Sequence, residues 1–476
     1  MTATEILTWS EGRLTWYGCG PTVYDSPHIG HARWVIWLIV RTYVSFDIIR
    51  RILQNYCGIK VTYCMNITDI DDKIIRRARQ HHLLSQYEQT ACSIEEVRKD
   101  IALASRLVTH CAVPLAEYLD EQYGHTVNTL FTSLPRKYEE EFFQKMDLLG
   151  VGHVSNVMRP DVVPRVTECV PQIVEYIQRI IAHGFAYGQG FIGRYVSAGS
   201  VYFDVPAFSL HHSYARLVPE SVTDLKSLAE GEGSLATSGE KRSARDFALW
   251  KASKEGEPSW DSPWSKVVVR FSVEGRPGWH IECSVMATAV FGAQMDIHSG
   301  GHDLKFPHHD NEMAQAEVSF LFDGAYFNGG PWVRYFLHSG HLTINGCKMS
   351  KSLKNFITID AALAETSPRR LRLLFLLHVW NQPFDYSPDA LAEAATYDRQ
   401  FSTGTHADAS RRCNLRYSGS NMADSFNTRQ CLNELKALIS VANSVVQSTI
   451  GSPTGVGSVR MVGNYIISIL KVCCSV

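Results

Sequence analysis

The 476-residue sequence lacks the features that would assign it to a membrane or secreted protein. No apolar run approaches the roughly 18 residues that a membrane-spanning helix needs, and the first residues show neither a secretory nor an organellar targeting pattern. The twelve cysteines are scattered without the spacing of a disulfide framework, which favours a reducing compartment. We therefore expect a cytoplasmic protein that has no membrane partner.

The sequence also lacks a strong charge bias and an internal repeat. Its net charge is −2, so bulk electrostatic attraction to a nucleic acid is excluded, and any RNA contact needs a local basic patch. Hydrophobic residues make up 45% and charged residues 20%, as is typical of a soluble globular protein. A chain of this length exceeds one ordinary core, and we expect two to four domains.

The chain is organised around residues 17–33, which read YGCGPTVYDSPHIGHAR. A strand-like run precedes this stretch, and an apolar segment of helical length follows its His28-Ile29-Gly30-His31 string. A strand, a glycine-containing turn and a helix in this order form a phosphate site, because backbone N–H groups and the positive helix end face the anion. Gly30 would let a nucleotide approach the backbone closely. Taken alone, the string is more often two surface histidines beside a turn glycine.

A second motif, KMSKS, lies at residues 348–352. Lys348 and Lys351 place two ammonium groups on a short loop, which suits a triphosphate whose charge grows in the transition state. A solvated basic loop is the alternative for this motif by itself. The HIGH and KMSKS strings together, in this order and more than 300 residues apart, resemble the signatures of class I aminoacyl-tRNA synthetases.

Four candidate metal ligands are spread along the chain: Cys19, Cys283, His308 and Glu312. His308 and Glu312 are spaced i, i+4 and would share one face of a helix. Two thiolates, an imidazole and a carboxylate form a set that zinc accepts, although the long gaps between them match no zinc-finger spacing. Considered singly, Cys283 is more often a buried inert thiol, and the His–Glu pair is more often a surface polar pair.

Longer segments narrow the resemblance to one family. GCGPTVYD (18–25), NITDIDDKII (66–75), GWHIECS (278–284) and DIHSGGHDLKFPHHDNE (296–312) resemble cysteinyl-tRNA synthetase, and the similarity covers about residues 14–400. The resemblance implies one zinc ion per chain, bound by Cys19, Cys283, His308 and Glu312. It places the substrate cysteine beside Thr68, Trp279, Cys19 and Cys283. It implies that ATP, with magnesium, binds to His28, Gly30, His31, Lys348 and Lys351. It also implies that four of these residues are catalytic: His28, His31, Lys348 and Lys351.

The order of strand-like and helical segments predicts a doubly wound α/β fold with a parallel sheet, split by an inserted connective domain. We expect amphipathic helices over 42–55 and 167–183. The predicted division is a first catalytic half at 1–185 with a helical insert at about 95–149, a connective insertion at 186–262, a second catalytic half with the zinc site at 263–343, the KMSKS loop and stem-contact helices at 344–400, and a short, truncated helical tRNA-binding domain at 401–476.

Three segments depart from the family pattern and look like additions: 34–41, 188–198 and 265–274. The first, WVIWLIVR, directly follows HIGHAR, and we expect it to impair the nucleotide site. Arg369, Arg370 and Arg372 form a candidate RNA-contacting cluster, for which a solvated helix face is the equal alternative.

These patterns predict a ligase that activates L-cysteine with ATP and transfers it to the 3′-terminal ribose of cysteine tRNA. Zinc would select the substrate thiolate over the hydroxyl of serine. Two alternatives belong to other classes: an ATP-dependent ligase that joins cysteine to an amino sugar, and an inactive relative that binds zinc or RNA. The NITDIDDKII segment, the helical insert and the helices after KMSKS favour the synthetase.

Overall fold

A four-stranded parallel sheet with the strand order β2-β1-β7-β8 lies at the centre of the computed structural model. Its strands are β1 (Arg13–Gly18), β2 (Lys60–Met65), β7 (Met295–Gly301) and β8 (Val333–Ser339). The structure describes residues 12–24, 36–90, 130–150, 159–188, 200–230, 241–254, 256–265, 274–319, 331–344, 347–348, 357, 359–404, 425–448 and 453–474. Side chains in the middle of the sheet, such as Trp16 and Ile297, are completely buried, as expected where helices cover both faces of a parallel sheet.

The first strand has a neighbour from each half of the chain. Trp16 of β1 pairs with Tyr63 of β2 on one side and with Ile297 of β7 on the other. The strand order therefore reverses between β1 and β7, and their carboxyl ends border a crevice at this switch point. Ligands of doubly wound sheets bind in such crevices. The predicted doubly wound α/β fold is confirmed.

Two smaller sheets accompany the central one. An antiparallel sheet contains β3 (Ala186–Gly188), β4 (Val201–Phe203), β5 (Phe247–Ala252) and β6 (Gly275–Pro277) in that order. The third sheet has the order β10-β9-β11, formed by β9 (Leu342–Ile344), β10 (Cys347–Lys348) and β11 (Phe384–Tyr386). The antiparallel sheet lies in the segment predicted as the connective insertion but continues past residue 262, so the boundary at 262 stays a prediction.

Helices cover the sheets and form the C-terminal part of the described chain. They are α1 (Ile36–Arg51), α2 (Asp72–Thr90), α3 (Leu130–Leu148), α4 (Val170–Ala182), α5 (Val205–Ser209), α6 (Leu225–Glu230), α7 (Trp279–Phe291), α8 (Asp310–Ser319), α9 (Ile359–Glu365), α10 (Pro368–Leu376), α11 (Pro388–Gly404), α12 (Thr428–Ser448) and α13 (Pro453–Cys474). In the parts of the chain that the structure describes, none of these helices combines the length and apolar character needed to cross a bilayer.

Helix α1 differs from its prediction in both position and burial. The sequence predicts an amphipathic helix over 42–55, whereas α1 runs from Ile36 to Arg51 and a π-helical turn covers Ile52–Tyr56. Residues 41–53 are all buried, so the amphipathic prediction is wrong. The polar side chains do not face solvent because α1 lies between the parallel sheet and the helices α10 and α13. Arg41, predicted as part of an added segment, is a core residue that is 1% exposed.

The arginine cluster also differs from its prediction. Arg372 is 2% exposed, and its Nη2 lies 2.6 Å from Oδ2 of Asp47 on α1. The prediction that Arg372 contacts RNA is therefore wrong, because its guanidinium joins α10 to α1 inside the protein. Arg369 and Arg370 both pair with Asp398, at 2.9 and 2.8 Å, so α10 is also joined to α11.

The last two helices belong to the same apolar core as the nucleotide-binding fold. Ile466, Ile469 and Leu470 of α13 share a cluster of buried side chains with Ile52 and Leu53. Residues 405–424 lie outside the described residues, and α12 and α13 follow them in the chain. Within the described chain, α13 packs on α1, and α12 packs on α13, α11 and α10.

Removing Arg372 should destabilise the fold through its buried partner. We expect Arg372→Met to lower the free energy of unfolding by about 3 kcal/mol, because the buried carboxylate of Asp47 then loses one of its two ion pairs among the described residues and keeps the pair with Arg51. Arg370→Met is the matched control on the same helix, and its half-exposed ion pair should cost less than about 1 kcal/mol. Urea unfolding followed by circular dichroism measures both, and equal losses would contradict the buried role of Arg372.

Candidate active site

Cys19 lies directly after β1, where the chain leaves the parallel sheet. Its backbone N–H donates to the carbonyl oxygen of Ser299 on β7 at 2.9 Å, and its own carbonyl accepts from the hydroxyl of Tyr43 at 3.0 Å. The next residue has to be glycine, because a Cβ on Gly20 would lie 1.6 Å from the carbonyl oxygen of Asn66. These contacts hold the buried thiol of Cys19 at the crevice of the switch point.

The other three predicted ligands come from two neighbouring helices. Cys283 lies in the second turn of α7, which is buried from His280 to Ala287. His308 lies in the π-helical turn that leads into α8, and Glu312 lies in the first turn of α8. Helices α7 and α8 pack against each other. This packing brings the predicted ligands Cys283, His308 and Glu312 together although they are far apart in the sequence.

The four side chains form one compact, buried cluster. Their ligand atoms all lie within 4.8 Å of one another. The Sγ atoms of Cys19 and Cys283 are 3.8 Å apart, Cys19 Sγ is 3.7 Å from Glu312 Oε1, and that oxygen is 3.0 Å from His308 Nε2. A tetrahedral zinc ion with ordinary bond lengths places its ligand atoms about 3.3–3.8 Å apart. The two distances from the Sγ of Cys19 match this range and the His308–Glu312 distance is shorter, so the cluster fits zinc in its chemistry and in the spacing around Cys19.

A second possible ligand set overlaps the first. His298 and His309 form a buried group with Cys19 and Glu312, again within 4.8 Å. His298 Nε2 is 2.8 Å from Glu312 Oε2, and His309 Nε2 is 3.5 Å from Cys19 Sγ. The set that contains Cys283 has two sulfur ligands, which zinc favours. His298 can then orient the carboxylate through the second oxygen, as outer partners of metal ligands commonly do.

The electrostatics of the cluster favour a bound cation. A hydrogen bond from Cys19 lowers the pKa of Cys283 to about 6. Burial, together with the neighbouring Cys283, raises the pKa of Cys19 well above that of an ordinary thiol. Burial lowers the pKa of His308, but the charges of Glu312 and Cys283 outweigh it, and the net shift is upward. One thiol therefore ionises far more readily than the other, and a divalent cation would favour both thiolates.

The residues predicted to contact a cysteine substrate border the same cluster. Trp279 is half-buried, and its ring stacks on the imidazole of His308 with 4.3 Å between the centroids. Thr68 is buried, and its hydroxyl accepts a hydrogen bond from Nδ2 of Asn66 at 3.3 Å. Oδ1 of Asn66 lies 3.9 Å from the Sγ of Cys283. Thr68 is thus connected to Cys283 through Asn66, and Trp279 lies against His308.

The sequence is similar to one known family over most of its length. Residues 5–396 match the family model of the tRNA synthetases class I (C) catalytic domain. The chain is 41% identical to the cytoplasmic cysteine–tRNA ligase of Xenopus tropicalis, with 98% of this chain and 69% of that protein covered. It is 46% identical to the cytoplasmic cysteine–tRNA ligase of Homo sapiens, with 83% and 56% covered. The chain belongs to the cysteinyl-tRNA synthetase family of class I.

A solved structure supports the fold at lower sequence similarity. Mycobacterium tuberculosis methionyl-tRNA synthetase in complex with methionyl-adenylate matches 97% of this chain and 92% of its own, with a TM-score of 0.53 and 13% identity. At this identity the match concerns the fold alone, which is that of class I synthetases. The chain spans between about half and 70% of the length of the curated relatives that it matches.

Most of the residues predicted to bind ATP lie outside the described residues; these are His28, Gly30, His31 and Lys351. Lys348 ends β10, and its backbone pairs with Thr343 of β9. The KMSKS motif therefore begins at the end of the small sheet that also contains β11. The roles of all five in ATP binding stay predictions.

A group of histidines that the sequence patterns do not predict surrounds the ligands. His280 Nδ1 lies 3.0 Å from His308 Nδ1, and His309 Nδ1 lies 2.8 Å from His338 Nε2. Burial lowers the pKa of His338 to about 2, so this imidazole is neutral at physiological pH. A signal was available, because His280, His298 and His309 all lie inside segments that carry the family resemblance. The pairing of β7 with β8, which brings in His338, is not visible in the sequence.

Cobalt can distinguish the two overlapping ligand sets. We expect Co²⁺ to bind with a thiolate-to-metal charge-transfer band, and Cys283→Ser should remove roughly half of its intensity because one of two sulfur ligands is lost. His309→Gln is the matched control within the second set and should keep the band. Absorption titrations of both variants measure this, and a band left unchanged by Cys283→Ser would assign the metal to Cys19, His298, His309 and Glu312, where Cys19 is the single thiolate.

Proposed function

We propose that this chain is a cytoplasmic ligase that activates L-cysteine with ATP and transfers it to the 3′-terminal ribose of cysteine tRNA. The observation that carries the proposal is the buried pair of cysteines, with a histidine and a glutamate, at the switch point of a class I synthetase fold. Relatives of this chain are named cytoplasmic cysteine–tRNA ligases, which supports both the reaction and the compartment.

One zinc ion per chain is the metal that we propose for Cys19, Cys283, His308 and Glu312. When bound, zinc would supply a soft Lewis acid that accepts a thiolate sulfur far more readily than a serine hydroxyl. The protein orients the ligands before binding, since Trp279 stacks on the His308 ring and His298 holds one oxygen of Glu312. Such chemical discrimination allows serine to be rejected without a second, editing site.

In the adenylation step, the carboxylate of cysteine attacks the α-phosphorus of ATP and pyrophosphate leaves. We assign the phosphates, with magnesium, to the HIGH string (His28, Gly30 and His31) and to the KMSKS lysines (Lys348 and Lys351). Backbone N–H groups at a helix start and two ammonium groups stabilise the charge that develops on the leaving pyrophosphate. The location of Lys348 on a small sheet that contacts α1 supports this assignment, because α1 follows the HIGH string.

For the acceptor, we propose cysteine tRNA bound along residues 344–400 and 401–476. The two catalytic halves at 1–185 and 263–343 would then hold the adenylate, with the connective insertion at 186–262 beside the acceptor end. The shared apolar core of α13 and the π-helical turn after α1 supports a fixed arrangement of the described helices on the catalytic fold.

The reaction can be tested by cysteine-dependent exchange of pyrophosphate into ATP. We expect exchange with L-cysteine, little exchange with L-serine, and charging of cysteine tRNA after adenylate formation. Exchange without tRNA charging, but with product formed on glucosamine-inositol, would identify the amino-sugar ligase instead. Absence of exchange in zinc-loaded protein would leave the inactive zinc- or RNA-binding relative as the function.

Lys351→Ala should lower the rate of adenylation. Loss of one donor at a developing phosphate charge costs about 2.7–4 kcal/mol, or roughly 100- to 1000-fold in rate, with a smaller change in the KM for ATP. Lys354→Ala is the matched control, because it removes a lysine just outside the motif. Steady-state exchange kinetics measure both variants, and unchanged kinetics for Lys351→Ala would remove the KMSKS loop from the phosphate site.

A further inference from the structure

One buried arginine of α1 contacts the region from which the KMSKS motif begins. Nη1 of Arg41 donates to the carbonyl oxygen of His341 at 2.6 Å, and Nη2 donates to those of Val379 at 3.0 Å and Gln382 at 2.5 Å. The guanidinium also lies over the ring of Phe384, 5.6 Å from its centroid. Burial lowers the pKa of Arg41 to about 10, so the side chain stays charged at neutral pH. Three carbonyl oxygens from distant parts of the chain thus converge on one charge.

The carbonyls belong to two segments that touch each other, one between β8 and β9 and the other between α10 and β11. The N–H of Gly340 donates to the carbonyl of Trp380 at 3.0 Å, and the N–H of Phe384 donates to that of His341 at 2.9 Å. A Cβ on Gly340 would lie 2.1 Å from the carbonyl oxygen of Gln382. The two segments are therefore in direct backbone contact, and we call this contact the junction. The hydrogen bonds of Arg41 connect the junction to α1.

The junction supports the small sheet that leads into KMSKS. Strand β9 follows one segment, β11 follows the other, and β9 pairs with both β11 and β10. Strand β10 ends at Lys348, the first residue of the motif. A second contact adds to this connection, since the hydroxyls of Thr42 and Ser339 form a short hydrogen bond. Helix α1 itself is the first described element after the HIGH string.

We propose that Arg41 is a positioning residue for adenylation, which holds α1 and the β9–β10–β11 sheet at a fixed distance so that the HIGH and KMSKS motifs meet one ATP molecule. The inference rests on the proposed function. A planar guanidinium with several donors can bond three carbonyls at once, whereas a lysine ammonium on a flexible stem cannot reproduce this arrangement. A small displacement of α1 or of the β9–β10–β11 sheet should reduce the rate of the chemical step more than it reduces the affinity for either substrate.

The experiment compares Arg41→Lys and Arg41→Met with Arg50→Lys in the zinc-loaded full chain. Arg50 is the matched control, because it is a buried arginine of the same helix that donates to the carbonyl of Arg159 and to Asp161. Asp161 accepts a hydrogen bond from the backbone N–H of Tyr63 on β2, at the opposite edge of the parallel sheet from β8. Pyrophosphate exchange gives kcat and the KM values for ATP and cysteine, while calorimetry and metal analysis report stability and zinc content.

We expect Arg41→Met to lower kcat about 100-fold and Arg41→Lys about 10-fold, with both KM values within about twofold and zinc content unchanged. Arg50→Lys should lower the melting temperature but keep kcat. Unchanged kcat in Arg41→Met, or equal kcat losses at Arg41 and Arg50, would overturn the inference while the proposed function stands. An unaltered chain without cysteine-dependent exchange would overturn the proposed function itself.

If Arg41→Met fails to fold, a second pair of variants tests the positioning role of the arginine that precedes Thr42. Deleting residues 34–41 joins Arg33 directly to Thr42, so an arginine again precedes Thr42. We expect this deletion variant to form adenylate at least as fast as the full chain. Adding Arg33→Met to the deletion should then lower kcat about 100-fold, with the KM values preserved. Equal kcat in the two deletion variants would overturn the positioning role.

Discussion

Two thiols and a carboxylate in contact inside the protein form the constraint on which the candidate site depends. Uncompensated charges in a buried place cost several kcal/mol, so these groups are kept together only by a rigid frame and by positive partners. The frame is the switch point of the parallel sheet, where the backbone of Cys19 forms hydrogen bonds with Ser299 of β7 and with the hydroxyl of Tyr43 on α1. A divalent metal held by both thiolates, Glu312 and the neutral imidazole of His308 would supply the compensating positive charge.

Helix α1 also contains buried charged side chains that need partners of opposite charge or hydrogen-bond acceptors. Its described side chains at 41–51 are all buried between the sheet and the C-terminal helices, yet they include three arginines and an aspartate. Arg51 pairs with Asp47 within the helix, and the other contacts reach different layers: Arg50 pairs with the segment beside β2, Asp47 with Arg372 of α10, and Arg41 with the junction before β9 and β11. These bonds specify one orientation of α1, which apolar packing alone would leave less defined.

The sequence predicted those parts of the fold and site that local chemistry determines. The strand and helix order, the helix ending near 182 and the i, i+4 pair of His308 and Glu312 all follow from local patterns. The burial of α1 could not be predicted from the spacing of its polar residues. This spacing is the same whether the polar side chains face water or pair with another layer of the protein. His338 was missed because the pairing of β7 with β8, which aligns His298 with Phe336, joins residues far apart in sequence. Arg372 was assigned to RNA for the same reason, since its partner Asp47 lies 325 positions away.

Three consecutive residues of α1 connect the parts of the catalytic unit. Successive positions on a helix point about 100° apart, so neighbours can reach different elements. Arg41 bonds the junction that leads to KMSKS, Thr42 bonds Ser339 at the end of β8, and Tyr43 bonds the carbonyl of the proposed metal ligand Cys19. A rotation of α1 would disturb all three contacts at once. Because these contacts are made by residues 41–43, the residues that precede them need not change the register of α1 against the sheet. Residues 36–40 of the segment predicted as an addition at 34–41 form the first part of α1, ahead of these three contacts.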